Sequence, residues 1–318
     1  MYSRKLFNSI TAAAALPLVL AAGIANAAAP KYTAWSVALP VAEVNDTTVP
    51  DGCPIESRDG LSLYIASTRI GTLGGNDIWA ADRASKSEPF GQPQNLGGPV
   101  NSGTNDFCPT PIYGSYLMFV SERLSEPGLE TCETAPTFGD IYIVRRNAAF
   151  GWGEPQHLGC IEDGTGPNSA GAEFSPSLVE LKEGTFLYFS SNVTKVGGNQ
   201  DIYRSKRLSD GSFGPPTPVV ELNTEFDDRM PNVRSDGLEI VYSSNRPVDS
   251  KGKPTFGSFD VYVASRSSTS KPFSAPVNLG PNVNTTGSET RSTISWDHKR
   301  LYFGRDGEIQ SASRKKKN

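Results

Sequence analysis

Ser235-Asp236-Gly237-Leu238-Glu239-Ile240-Val241-Tyr242-Ser243-Ser244-Asn245-Arg246, followed by Asp260-Val261-Tyr262, is the stretch that decides the fold of this chain. A tight-turn Asp-Gly pair leads into an apolar strand, which closes near an arginine before a second strand opens on an acid. The same two-part signature comes round five times. Its copies are Leu63-Tyr64-Ile65 with Asp77-Ile78-Trp79, Leu117-Met118-Phe119 with Asp140-Ile141-Tyr142, Leu187-Tyr188-Phe189 with Asp201-Ile202-Tyr203, Ile240-Val241-Tyr242 with Asp260-Val261-Tyr262, and Leu301-Tyr302-Phe303 with Glu308-Ile309. A long repeat built from short β-type strands predicts an all-β propeller.

Each repeat reads as four strands. The first follows an acid and usually a proline, the second is the Leu-Tyr-Phe segment, the third starts at Asp-Ile-Tyr, and the fourth follows Phe-Gly-x-Pro and ends near Val-Asn. Fourth-strand segments run from Phe90 to Asn101, Phe150 to Asp163, Phe213 to Asn223 and Phe273 to Asn284. The fifth repeat, from Glu289 to about Arg314, has none after it. The fourth-strand pattern appears instead ahead of the first repeat, as Trp35-Ser36-Val37-Ala38-Leu39-Pro40 and then Val44-Asn45. The N-terminal strand is therefore expected to complete the C-terminal blade of a five-bladed ring, which pairs two edges that would otherwise be open to aggregation.

Ahead of the repeats, Arg4 and Lys5 precede an apolar run from Ile10 to Ile24 and the small residues Ala25-Asn26-Ala27. This pattern predicts a signal peptide over 1–27, a single propeller over 28–314 and a basic tail over 315–318. The expected compartment is periplasmic or secreted, with no transmembrane segment after cleavage. The leader carries two basic residues and no acid, so its removal takes the formal net charge from −4 to −6. Phosphate binding wants a basic face, so nucleic acid is excluded as a partner. The chain has only two histidines, His157 and His298, too few for a multi-histidine zinc centre.

The pattern Ser-x-Asp-Gly-x-x-Leu-Tyr-Phe-x-Ser-x-Arg, then Gly-Gly-x-Asp-Ile-Tyr and Phe-Gly-x-Pro-x-Asn-Leu, resembles the WD40-like (PD40, Tol-type) propeller repeat of exported bacterial proteins. The residues that carry the resemblance most clearly are Asp236-Gly237, Ser243, Arg246, Asp260-Val261-Tyr262, Phe273 and Asn278-Leu279. It covers essentially everything after the leader and implies the fold more than any activity.

An acid stands near the start of every first strand: Asp51, Asp106, Glu173, Asp228 and Glu289. First strands line the axis of a propeller, so these five carboxylates are expected to converge on one mouth as a ligand-binding ring. Mutual repulsion would raise their pKa values unless arginines, a cationic ligand or an ion such as Ca²⁺ neutralised them. Arg69, Arg123, Arg246 and Arg305 close the second strands at the same end, where Asp77, Asp140, Asp201 and Asp260 also lie. Structural pairing between arginines and carboxylates is thus the expected role of these residues. Asn192 replaces the arginine in the third blade, which leaves Glu173 the best single candidate for a functional carboxylate. No other cofactor and no resident metal are expected.

Four cysteines in an exported chain predict two disulfides with three connectivities open. Strand positions favour Cys53 with Cys108 and Cys132 with Cys160. Longer segments at 122–138, 162–172 and 247–258 are expected to crowd the acidic mouth, where binding residues tend to sit. The function expected from these features is non-catalytic binding of a protein, peptide or glycan at that mouth. Two alternatives stand beside it. One is a glycosidase-like enzyme using Asp51, Asp106 and Glu173 as base, modulator and acid. The other is a structural envelope component.

Overall fold

The computed structural model describes residues 31–112, 115–123, 132, 139–147, 149, 151–162, 164–193 and 200–317. The expected leader over 1–27 and most of the 122–138 segment lie outside these residues. Five antiparallel sheets make up the described chain, which contains no helix. Blade one comprises Asp51–Glu56, Ser62–Ser67, Asp77–Asp82 and Gln94–Asn95, paired in that order. Blades two to four repeat the arrangement from Asp106, Glu173 and Asp228, and blade two carries one extra short strand, Gly151–Trp152. The five first strands touch one another in a closed circle, the last (Glu289–Ile294) against the first (Asp51–Glu56).

Closure follows the expected path. Leu39–Pro40 pairs antiparallel with Glu308–Ser313, so the N-terminal segment is the outermost strand of blade five. The seam continues beyond the sheet: Thr33 N–H donates to Lys315 O at 2.9 Å and Lys317 N–H to Lys31 O at 2.8 Å. The basic residues 315–317 are therefore part of the closing seam and not a loose tail.

Alternating side chains on a strand face opposite sides, and here both sides are covered by neighbouring blades, so the second and third strands are apolar on both faces. The core is accordingly split into five clusters, one per seam. Leu63, Ile65 and Trp79 of blade one meet Tyr302 and Ile309 of blade five. Ile78 meets Phe119 and Tyr142, and Met118 and Ile141 meet Leu187 and Phe189. Tyr188 and Ile202 meet Ile240 and Tyr242, and Val241 and Val261 meet Leu301 and Phe303.

A repeated asparagine locks the fourth strand to the third. Asn101 accepts the Ile78 N–H at 2.8 Å and returns a bond to its carbonyl at 3.0 Å. Asn168, Asn223 and Asn284 do the same to Ile141, Ile202 and Val261. Asn45 completes the set on Ile309, at 2.7 and 3.1 Å. In blade two this asparagine lies at 168, beyond the expected end of the fourth strand at Asp163, because an insertion separates it from the strand.

Candidate functional site

The five acids do share one end of the ring, since each starts a first strand opposite the end of its second strand: Asp51 faces Ser67, Asp106 Ser121, Glu173 Ser191, Asp228 Ser244 and Glu289 Arg305. They do not form an open mouth. All five are buried, at 3 % exposure or less. Among the described residues they make no group of three whose oxygens are near enough to share one ion.

Four of them are neutralised within their own blade. Arg69 bonds Asp51 at 2.5 Å, Arg123 bonds Asp106 at 2.8 Å, Arg305 bonds Glu289 at 2.8 Å, and Arg246 bonds Asp228. Each guanidinium also donates to a backbone carbonyl just after the fourth strand, at Val44, Val100, Val283 and Leu222 respectively. The arginine thus pins the first strand of its own blade to the segment that follows the fourth strand of the preceding blade. The third-strand acids are held differently: Asp77 accepts from Asn95 at 2.8 Å and Asp260 from Asn278 at 2.6 Å. In blade two a histidine does this work, with His157 Nε2 2.8 Å from Asp140. Asp201 is buried at the equivalent place.

Blade three breaks the pattern. Asn192 accepts the Ala172 N–H at 2.8 Å and brings no charge. Glu173 is held by Ser169 Oγ at 2.5 Å, Ser191 Oγ at 2.7 Å and the Ser169 N–H at 3.0 Å. Burial pushes its pKa up to about 8; those three hydrogen bonds oppose the rise and the charge of Asp140 adds to it. At neutral pH this carboxyl is therefore mostly protonated, whereas Glu289, raised by burial, still has Arg305 beside it.

The axis itself is filled. Each first strand carries a β-bulge two residues after its acid, and the bulge residue adopts the left-handed region: Cys53 (φ 51°), Cys108 (49°), Ser175 (57°), Met230 (58°) and Arg291 (48°). In four blades proline follows, and its missing N–H leaves nothing to pair at that rung. Cys53 and Cys108 are joined by a disulfide, and Ser175 Oγ lies 3.3 Å from Cys108 Sγ. Arg291, fully buried, crosses to Thr110 Oγ1 at 3.0 Å and to the carbonyls of Pro109, Pro176 and Pro231 at 3.3 to 3.4 Å. Desolvation lowers its pKa to about 9. A tethered cation thus sits among inward-facing carbonyls from three blades. Sequence reading missed this residue, whose only signal is its place two positions after Glu289.

The second disulfide joins Cys132 to Cys160. Two disulfides are compatible with an extracellular protein. Two open clefts are found elsewhere, one of about 250 Å³ beside Val41, Arg83, Phe90 and Tyr302, the other of about 400 Å³ beside Tyr116, Arg145 and Glu154. Neither is lined by any of the five acids. Trp79 is core, while Trp296 is 43 % exposed with the Arg58 guanidinium 4.1 Å above its ring.

No family model matches the chain. No curated protein matches it by sequence either. Solved structures do match in fold. An α-L-arabinofuranosidase from Lactobacillus brevis is similar over 88 % of this chain and 95 % of its own, with a TM-score of 0.56 at 10 % identity. A thermostable family-43 glycoside hydrolase is similar over 86 % and 91 %, with a TM-score of 0.55 at 11 % identity. An endo-arabinase from Bacteroides thetaiotaomicron is similar over 90 % and 99 %, with a TM-score of 0.53 at 14 % identity. At these identities the likeness carries the five-bladed fold. The expectation of a non-catalytic propeller that binds a protein, peptide or glycan at an acidic mouth is corrected on two counts: the three propellers named above, each matched over most of both chains, are glycosidases, and the acids invoked for the mouth are buried and, in four blades, bound to arginine.

Proposed function

We propose that the chain is an exported carbohydrate-active enzyme that cleaves glycosidic bonds, with Glu173 as proton donor. The observation that carries this reading is that Glu173 alone among the five inner acids lacks a guanidinium and holds its proton at neutral pH, with a pKa of about 8. A general acid for a leaving sugar oxygen needs that state. The sharing of the fold with an arabinofuranosidase and an endo-arabinase supports the same class. Of the three acids first considered, Asp51 and Asp106 are engaged by Arg69 and Arg123, which leaves Glu173. Its nearest charged influence is Asp140, on the neighbouring blade. Glu173 is covered by the turn through Ser169 and Gly171, so contact with substrate requires that turn to lift.

The test is incubation of the purified protein with arabinan, xylan and their aryl glycosides, with release of reducing ends or aryl alcohol as readout. Release is expected to fall as pH rises past about 8, where Glu173 loses its proton, and to vanish in Glu173→Gln. Equal release by that variant, or none from any substrate by the parent protein, overturns the assignment.

A further inference from the structure

We propose that Cys132, His157 and Cys160 form a redox-gated site for a divalent cation that favours sulfur and nitrogen, with Zn²⁺ as the working probe. The two sulfurs and a ring nitrogen of His157 all lie within 4.8 Å of one another, the only such grouping among the described residues. In the present state the sulfurs are bonded to each other and offer no thiolate, so the site is shut. Opening it takes a two-electron reductant, a dithiol. The S–S bond breaks, Cys132 and Cys160 each gain a proton and an electron, and the dithiol leaves as a cyclic disulfide. Binding of the cation then releases both thiol protons.

The histidine ring is held in place from both nitrogens. His157 Nε2 lies 2.8 Å from the Asp140 carboxylate, and the Gly159 N–H donates to Nδ1 at 3.1 Å. Asn168 Nδ2 also lies 3.1 Å from Nε2; a cation that takes the Nδ1 lone pair replaces the Gly159 N–H there, and a carboxylate behind the other ring nitrogen is the arrangement that orients metal-ligating histidines. Cys160 is equally well fixed: it is buried, its N–H donates to Thr165 Oγ1 at 3.0 Å, and it bridges to Asn168, whose side chain is bracketed on Ile141. Three protein ligands would leave a fourth position open to water or to a small anion. The other bridge, Cys53–Cys108, belongs to no such grouping among the described residues and serves as an internal control. This inference does not depend on the catalytic reading of Glu173.

The experiment compares metal uptake before and after anaerobic reduction with dithiothreitol and its removal. Zn²⁺ is counted after gel filtration, and Co²⁺ is followed by its thiolate charge-transfer absorbance. One metal per reduced chain and none per oxidised chain is the expected result, with at least about tenfold weaker binding in His157→Gln. The Cys132→Ser/Cys160→Ser double variant, reduced in the same way, keeps the thiols of Cys53 and Cys108 and is expected to show no thiolate band. Uptake by that double variant equal to the parent's, uptake by the oxidised parent, or no uptake by the reduced parent overturns the proposal. So does a reduced parent that is unfolded by circular dichroism whether or not Zn²⁺ is present, because the site then has no scaffold.

Discussion

Replacing Glu173 by glutamine should remove a large part of the protein's loss of stability as the pH rises. The folded carboxyl has a pKa of about 8, against an ordinary value of 4.5. Between those values the folded state holds a proton that the unfolded state has lost, so raising the pH favours unfolding. The contribution is complete below pH 4.5, declines through the interval and is gone above about pH 8. Every tenfold gain in proton affinity on folding is worth about 1.4 kcal/mol, which sets a ceiling of about 5 kcal/mol for the whole interval. Glutamine is close in shape, accepts from Ser169 and Ser191 through its oxygen, and has no proton to lose. Urea denaturation of parent and variant at pH 5, 6.5, 8 and 9 isolates this contribution as a difference, because every other titrating group cancels. The parent should lose several kcal/mol relative to the variant between pH 5 and 8. Parallel curves would refute the reasoning, since they would mean that Glu173 is ionised in the folded protein or is not sealed from water.

Two further perturbations test the frame around that site. Arg246→Met leaves Asp228 buried with only Thr224 for support, so it should cost about 3 to 5 kcal/mol, and adding Asp228→Asn should recover much of the loss; a cost under about 1 kcal/mol in denaturant titration would place the pair in the class of exposed ion pairs instead. Asn45→Ala removes both bonds to Ile309 at the ring closure and should cost about 1 to 3 kcal/mol, close to Asn284→Ala within a blade. A silent Asn45→Ala beside a costly Asn284→Ala would show that the closing strand contributes little to stability.

The ring was legible because its chemistry repeats. Val44-Asn45 could be recognised as a stray fourth strand only because Val100-Asn101 and Val283-Asn284 show the same pair, and the bracket on Ile309 is the reason that pair recurs. The asparagine's task was not readable, since a side chain bonded to a distant stretch of backbone leaves only its own identity in the sequence. Arginine pairing was visible, but not which acid each arginine takes: strand order brings it equally near the first-strand and third-strand carboxylates, and geometry selects the former. His157 looked like an ordinary strand residue, because the asparagines at its register position, Asn95 and Asn278, were read only as part of the fourth-strand pattern. The axis was least legible. Cys53, Cys108, Ser175, Met230 and Arg291 share no chemistry, and what unites them is a backbone position that converges only when the ring is closed.

Departure from fivefold repetition is where this molecule has chemical freedom. An arginine that meets an acid in four blades is bound to do so by the need to neutralise a buried charge, and its replacement by Asn192 in the third leaves Glu173 with a proton as the only other means of neutralisation. Blade two departs at the adjoining seam, with His157 where blades one and four have Asn95 and Asn278, and a disulfide anchored three residues further on at Cys160. Arg291 is the third departure: a charge no carboxylate among the described residues neutralises is held at the centre by carbonyl dipoles from three blades, fixing them about one axis. The axial residues lie two positions inward of the acids along each first strand. The turn that covers Glu173 lies between blades two and three, and that seam is the part of the ring where the protonated acid, Asp140 and the histidine–cysteine cluster all lie.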